Sequence, residues 1–250
     1  MEHEGIYKMK LKRLMAKVNE RIGLVFIGKY LEFNFLNKKK NTYLNERSIE
    51  YEFVLKNLLE NRCLNVLDVG TGSNSFSSAL EHCGYNMTAT DLKHGSYWSN
   101  FSNRHIHVVR DDITNSKIKE KFDAILCISV LEHIPNFQDA VSGMVELLNN
   151  DGILLITFPY SHNNYCKNVY KLDDADDIAK KFRYIGQSFS NHEIQEFCKS
   201  NNLEVIDTTF GKGWSGKYWR TGDRYAFPKK VDNIEDANIG CFLFKKINAK

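Results

Sequence analysis

Two glycines set between an apolar run and a helix-forming segment constrain this chain more than any other feature. Residues 65–80 read Asn-Val-Leu-Asp-Val-Gly-Thr-Gly-Ser-Asn-Ser-Phe-Ser-Ser-Ala-Leu. Val66, Leu67 and Val69 predict a strand that stops at Gly70, and a helix is expected over 75–82. A strand, a tight turn and a helix whose N-terminus faces that turn form a ligand cradle in open α/β sheets. Gly70 and Gly72, either side of Thr71, can take backbone angles closed to other residues and let a ligand approach the main chain. The fingerprint G-x-G-x-x-G would require a glycine where Ser75 stands. Asp68, at the carboxyl end of the strand, suits a ligand that is cationic there and would repel a pyrophosphate.

The rest of the chain supplies a sheet for this turn to sit on. Strands are expected at 65–69, 86–90, 106–110, 122–129, 153–158, 203–210 and 239–246, with helices at 45–61, 75–82, 137–149 and 190–201. The continuous run Ala-Ile-Leu-Cys-Ile at 124–128 fits a strand buried on both faces. Ser190-Asn191-His192-Glu193 has the spacing of a capping box. This alternation predicts one α/β domain with a mostly parallel sheet and helices on both faces. Residues 1–45 carry ten lysines and arginines against four acids, and the spacing of Met9, Leu11, Leu14, Met15 and Val18 predicts an amphipathic helix over 6–19. We read residues 1–45 as a helical extension or cap and 46–250 as the main α/β domain.

Composition excludes several classes. With 42% hydrophobic residues the chain can build a core, and a net charge of +3 gives no electrostatic footprint for nucleic acid of the usual size. Six cysteines lie far apart without a C-x-x-C pair, which argues for a reducing, cytoplasmic setting and against a disulfide frame or zinc site. No stretch approaches the roughly 20 apolar residues of a membrane span.

Three acids fall at the carboxyl ends of three successive strands: Asp68, Asp91 and Asp112. Their separations, 23 and 21 residues, each accommodate one strand–helix unit. A carboxylate after the second strand can accept both hydroxyls of a ribose, with Leu92 beside it. One after the third can accept from an adenine amino group, while the Ile113 N–H faces a ring nitrogen. Of Asp111 and Asp112 the second is preferred, because it directly precedes an apolar residue. Asp68 and the glycine turn are left for a moiety carrying an ammonium and a sulfonium, which describes S-adenosylmethionine. Asp91 would equally hold the ribose of NAD, but the missing third glycine and the early Asp68 argue against that.

Taken in order, the segments 66–72, 89–92, 110–113, 122–126, 130–134 and 151–157 resemble the class I, Rossmann-like S-adenosylmethionine-dependent methyltransferases, in particular the methyltransferase type 11/12-like members. The resemblance implies a seven-stranded, mostly parallel sheet whose last strand is antiparallel. It implies Asp91 on the ribose, Asp112 on the adenine, and Gly70, Thr71 and Gly72 along the methionine moiety, with Ser129 at the end of the fourth strand. Asn74 stands where the family often has a third glycine.

Methyl transfer in this family takes place beside the segment Ser129-Val130-Leu131-Glu132-His133. His133 is a candidate base for an acceptor hydroxyl, or else a histidine that packs below the cofactor. Glu132-His133 is also similar to part of a metal site in ubiquinone-pathway O-methyltransferases, but Ser129 replaces a further acid of that site, so no metal is expected. The acceptor site should lie in what covers the strand ends, residues 159–189 and 211–237. Tyr160, His162, Trp214 and Arg220 are its candidates, since aromatic faces stack on rings and arginine clamps anions. No Asn/Asp-Pro-Pro-Tyr/Phe sequence follows the fourth strand, which disfavours nucleobase N-methylation. A small-molecule, glycan or lipid-linked acceptor is favoured, over an RNA acceptor or a non-catalytic binding module with the same fold.

Overall fold

The structure is a computed structural model that describes residues 43–72, 75–92, 106 and 108–247. The expected N-terminal helix at 6–19, nearly all of the 1–45 extension, and Asn74 lie outside the described residues. The elements are α1 (Arg47–Glu60), β1 (Asn65–Val69), α2 (Phe76–His82), β2 (Asn86–Asp91), β3 (Val108–Arg110), β4 (Phe122–Ile128), α3 (Phe137–Leu147), β5 (Leu148–Pro159), α4 (Asn191–Asn201), β6 (Leu203–Trp214), β7 (Arg224–Lys230) and β8 (Ile239–Lys246).

Strand order in the sheet is β3-β2-β1-β4-β5-β8-β6-β7. The first five strands run parallel, and β8 inserts antiparallel between β5 and β6. Among the described residues the sheet therefore has eight strands, one more than the expected seven: β6 continues to Trp214, and β7 turns back against it as an edge. An edge strand tolerates Pro228, which has no N–H to offer a ladder.

The two-residue period of a strand explains the core. From β4, Ala124, Leu126 and Ile128 face α1 and α2, packing with Ile49, Phe53, Val54 and Leu58 and with Phe76 and Leu80. Ile125 and Cys127 face the other side, against Phe137, Ala140, Val141 and Met144 of α3 and Ile194 and Phe197 of α4. The apolar positions of α3 recur at the three- and four-residue spacing of one helix face. Ser190 and Glu193 form the expected capping box at the start of α4, with Ser190 N–H donating to the Glu193 carboxylate at 2.9 Å.

Helix α3 reaches the backbone itself. A Cβ added at Gly143 would collide with the carbonyl oxygen of Ile113, in the turn that follows β3. This close approach sets the turn carrying Asp112 and Ile113 directly against α3. Gly143→Ala should therefore destabilise the fold by about 1–3 kcal/mol through overpacking. Urea unfolding checks this: an unchanged midpoint would mean that α3 does not seat against this turn.

Candidate active site

The carboxyl ends of β1, β2, β3, β4 and β5 lie along one edge, which the parallel register requires. There Gly70 (φ +72°) and Gly72 (φ +57°) both occupy the left-handed region. The N–H groups of Gly70 and Thr71 both donate to the Thr90 carbonyl, at 2.9 and 3.0 Å. The N–H of Gly72 donates to the Asp91 carboxylate at 3.0 Å. An added Cβ would lie 2.6 Å from Val130 at Gly70, but no closer than 3.9 Å to any atom at Gly72. Gly70 is thus closed in by the segment after β4, whereas Gly72, among the described residues, meets only the Gly70 carbonyl at ordinary contact distance.

Asp68 is buried, and its carboxylate accepts from the Ser77 hydroxyl, which lies 3.1 Å from that of Thr71. Burial pushes Asp68 up to about 6, although Ser77, Thr71 and the charge of Arg47 favour the carboxylate. Its observed work is to tie the first turn of α2 to the end of β1. Leu92, beside Asp91, is 58% exposed. The two acids after β3 divide sharply. Asp111 is buried and accepts from Lys117 N–H at 2.8 Å, while Asp112 is exposed and caps Thr114, from N–H at 3.0 Å and hydroxyl at 2.7 Å. The Ile113 side chain is buried below them.

Beyond β4 and β5 the site is fastened by a pair of residues that the sequence reading passed over, Arg47 and Glu50 of α1. One oxygen of buried Glu50 accepts from the hydroxyls of Ser129 and Thr157, both at 2.6 Å. Its other oxygen is paired with Arg47 at 2.7 Å. Ser129 sits at φ +48°, and its N–H donates to Thr157 at 2.9 Å to the carbonyl and 3.1 Å to the hydroxyl. The hydroxyl of Ser129 is therefore engaged by Glu50. An acid directly after Ile49 and three residues before Phe53, on an otherwise apolar helix face, was the available signal.

His133 lies in the 3₁₀ turn Leu131–His133. Its Nδ1 is 2.8 Å from the Ile185 carbonyl oxygen, and its ring meets Tyr184 edge-on at 4.8 Å. A carbonyl only accepts, so Nδ1 carries the proton and the neutral ring keeps its lone pair on Nε2. Adjacent Glu132 is buried, and that burial pushes it up to about 7 in spite of the neighbouring His133 and Arg47.

The four acceptor candidates form two separate groups. Tyr160 is buried against Phe210 and Phe242, and its hydroxyl lies 2.9 Å from His162 Nδ1. Burial pushes that phenol up to about 12. Arg220 makes two bonds to Asp176, at 2.6 and 2.9 Å, and its guanidinium lies over the rings of Phe182, Trp214 and Trp219 at 5.2–5.5 Å. Trp214 is buried, and its indole N–H has no hydrogen-bond partner among the described residues. Trp219 in turn donates to Glu46 at 3.2 Å, joining this cluster to the start of α1.

Comparison with known proteins bears on the family and the fold. A family model described as a methyltransferase domain matches residues 24–208. A ubiquinone biosynthesis O-methyltransferase from Rickettsia typhi is 25% identical over 98% of this chain and 96% of its own length. Among solved structures, an S-adenosylmethionine-dependent methyltransferase from Clostridium acetobutylicum superposes with a TM-score of 0.57, at 16% identity, over 88% of this chain and 99% of that one. A 1,6-didemethyltoxoflavin-N1-methyltransferase from Burkholderia thailandensis, solved with S-adenosylhomocysteine, gives 0.56 at 15% identity over 92% and 90%.

The buried acids make stability depend on pH. Asp68 and Glu132 keep their protons up to about 6 and 7 in the folded chain, whereas unfolded carboxylates release theirs near 4. The folded state therefore binds more protons between these limits, and stability falls as pH rises from about 4.5 to 7. Melting followed by circular dichroism should give a lower Tm at the upper end of that window. Asp68→Asn and Glu132→Gln should each flatten part of the slope, and a Tm that rises across the window would contradict the burial argument.

Proposed function

This chain belongs to the methyltransferase domain family and is an S-adenosylmethionine-dependent methyltransferase; from that premise we propose that it methylates a hydroxyl of a small-molecule acceptor, with sugar- and lipid-linked molecules inside that class. The cofactor supplies an electrophilic methyl group on a sulfonium centre. The residues at the strand ends fit it: no described residue crowds Gly72, and Asp91 stands against the glycine turn. Asp91 would hold the ribose hydroxyls, with Leu92 flanking the base. Asp112 would hold the adenine amino group and Ile113 N–H a ring nitrogen. Gly70, Thr71 and Gly72 would offer main chain to the methionine moiety, with Asp68 behind them and Ser129 shaping the far wall.

The observation that carries the hydroxyl reading is the state of His133. With Nδ1–H held by the Ile185 carbonyl, Nε2 is left as a proton acceptor at the end of β4. Trp214 and Arg220 would form an aromatic and cationic wall for the acceptor, and Tyr160 with His162 a hydrogen-bonded rim. The relatives named for ubiquinone biosynthesis act on oxygen by their names, which supports the same choice. No described helix is long and apolar enough to cross a membrane, so a lipid-linked acceptor would have to be met at a surface.

Transfer of labelled methyl groups from S-adenosylmethionine to a panel of phenols, catechols, sugars and prenylated phenols tests the proposal. Methylation of a hydroxyl is expected, with His133→Ala lowering kcat by about 100-fold at neutral pH. Transfer only to amines, or normal turnover of the variant across pH, would overturn the hydroxyl reading.

A further inference from the structure

Trp214 closes β6 with its carbonyl engaged and its side-chain donor not. Asn238, itself buried, donates to the Trp214 carbonyl at 2.9 Å and accepts from the Gly213 N–H at 3.0 Å. The indole is only 6% exposed, yet its N–H meets no acceptor among the described residues. Buried donors are nearly always paired, so one left open in this way calls for a reason beyond packing. Its position gives the first hint. Because β6 runs in the same direction as β5, Trp214 stands on the carboxyl edge of the sheet, the edge that carries the glycine turn.

Arg224 gives the second. It opens β7 directly across from Trp214. Its guanidinium lies over the rings of Tyr43 and Trp214, at 5.5 and 5.8 Å, and donates no hydrogen bond to a described residue. Glu46 attracts it from 3.8 Å, beyond hydrogen-bond range, while the other oxygen of Glu46 accepts from Trp219 at 3.2 Å. Arg220, also over the Trp214 ring, differs in that two of its donors are spent on Asp176. The stretch 211–230 carries six lysines and arginines against one acid, which makes the surroundings of Arg224 favourable to an anion. Glu46 is followed by Arg47, which reaches the Ile128 carbonyl at the end of β4, so this cluster borders the acceptor side of the site.

We infer that Arg224 and Trp214 form an oxyanion subsite, and that the acceptor carries a carboxylate or phosphate group in addition to the hydroxyl that is methylated. A guanidinium fork presents paired N–H donors to either group, and the indole N–H adds one more. The Arg224 side chain is 35% exposed, so its guanidinium is free to turn from the two rings towards an anion and draw it to the indole edge. The anion-clamping role expected of Arg220 thereby passes to Arg224. The subsite binds and orients the acceptor and takes no part in the transfer step. The inference rests on the small-molecule reading above and narrows it to acidic acceptors.

Tryptophan-labelled full-length protein, observed by NMR, tests the subsite without methyl transfer, the Trp214 indole signal being assigned through Trp214→Phe. Sodium phosphate and sodium acetate are titrated separately, against sodium chloride at equal ionic strength. At least one oxyanion should move the Trp214 signal saturably. Arg224→Gln should weaken that binding about tenfold or more, as expected when hydrogen bonds to a charged group are lost. Arg224→Lys, which keeps the charge and loses the fork, should also bind more weakly, and it serves where Arg224→Gln does not fold. The oxyanion that saturates the signal distinguishes a phosphorylated from a carboxylated acceptor. A response no larger than that to chloride, or one undiminished in both variants, overturns the inference. Labelled methyl transfer is then compared among glucose, glucuronate and glucose 6-phosphate, and between phenol and 4-hydroxyphenylacetate. An acidic member should be preferred about tenfold or more in kcat/KM, and Arg224→Gln should remove that preference; a preference for the neutral members overturns the inference. Transfer only to amines, with the oxyanion still seated at Trp214, sinks the hydroxyl reading and leaves the subsite. Hydroxyl transfer without any oxyanion response does the reverse.

Discussion

Three backbone N–H groups hold the turn after β1 against the end of β2. Gly70 and Thr71 share the Thr90 carbonyl, and Gly72 reaches the Asp91 carboxylate. The arrangement requires positive φ at Gly70 and Gly72, and it fixes the acid and the open main chain as one unit. The rest of the carboxyl edge is built around that unit. Asp68 anchors α2 through Ser77, Val130 closes over Gly70, and α3 presses on the turn that carries Asp112.

The ends of β4 and β5 are held by charge and not by glycine. Helix α1 brings Arg47 and Glu50 to the ends of β4 and β5, where one carboxylate oxygen gathers two hydroxyls. Removing Arg47 would cost more than the pair is worth in isolation, because the buried Glu50 carboxylate would be left uncompensated.

The parts of this fold that follow local rules were legible in the sequence. Strand β1 has the expected bounds because Val66, Leu67 and Val69 fill a central position and Gly70 ends it. The capping box at Ser190 and Glu193 formed because it needs only residues three apart. What was not legible depends on distant partners. Strand β7 is a largely exposed edge containing Pro228, and it gave no alternation to read. Arg220 looked available for an anion, but Asp176, 44 residues earlier, already holds it. Glu50 meets Ser129 across 79 residues, a pairing that no short window contains. The candidate cofactor residues were read because strand ends announce themselves, whereas the covering residues 159–189 and 211–237 follow no period.

Calorimetric titration of the full chain with S-adenosylmethionine, S-adenosylhomocysteine and NAD, repeated on Asp91→Ala, tests the central claim most directly. Micromolar binding of the first two and none of NAD is expected, with affinity reduced at least tenfold in the variant, about 1.4 kcal/mol. Tight NAD binding, or equal affinity of Asp91→Ala for S-adenosylmethionine, would contradict the account of the cleft at the carboxyl edge.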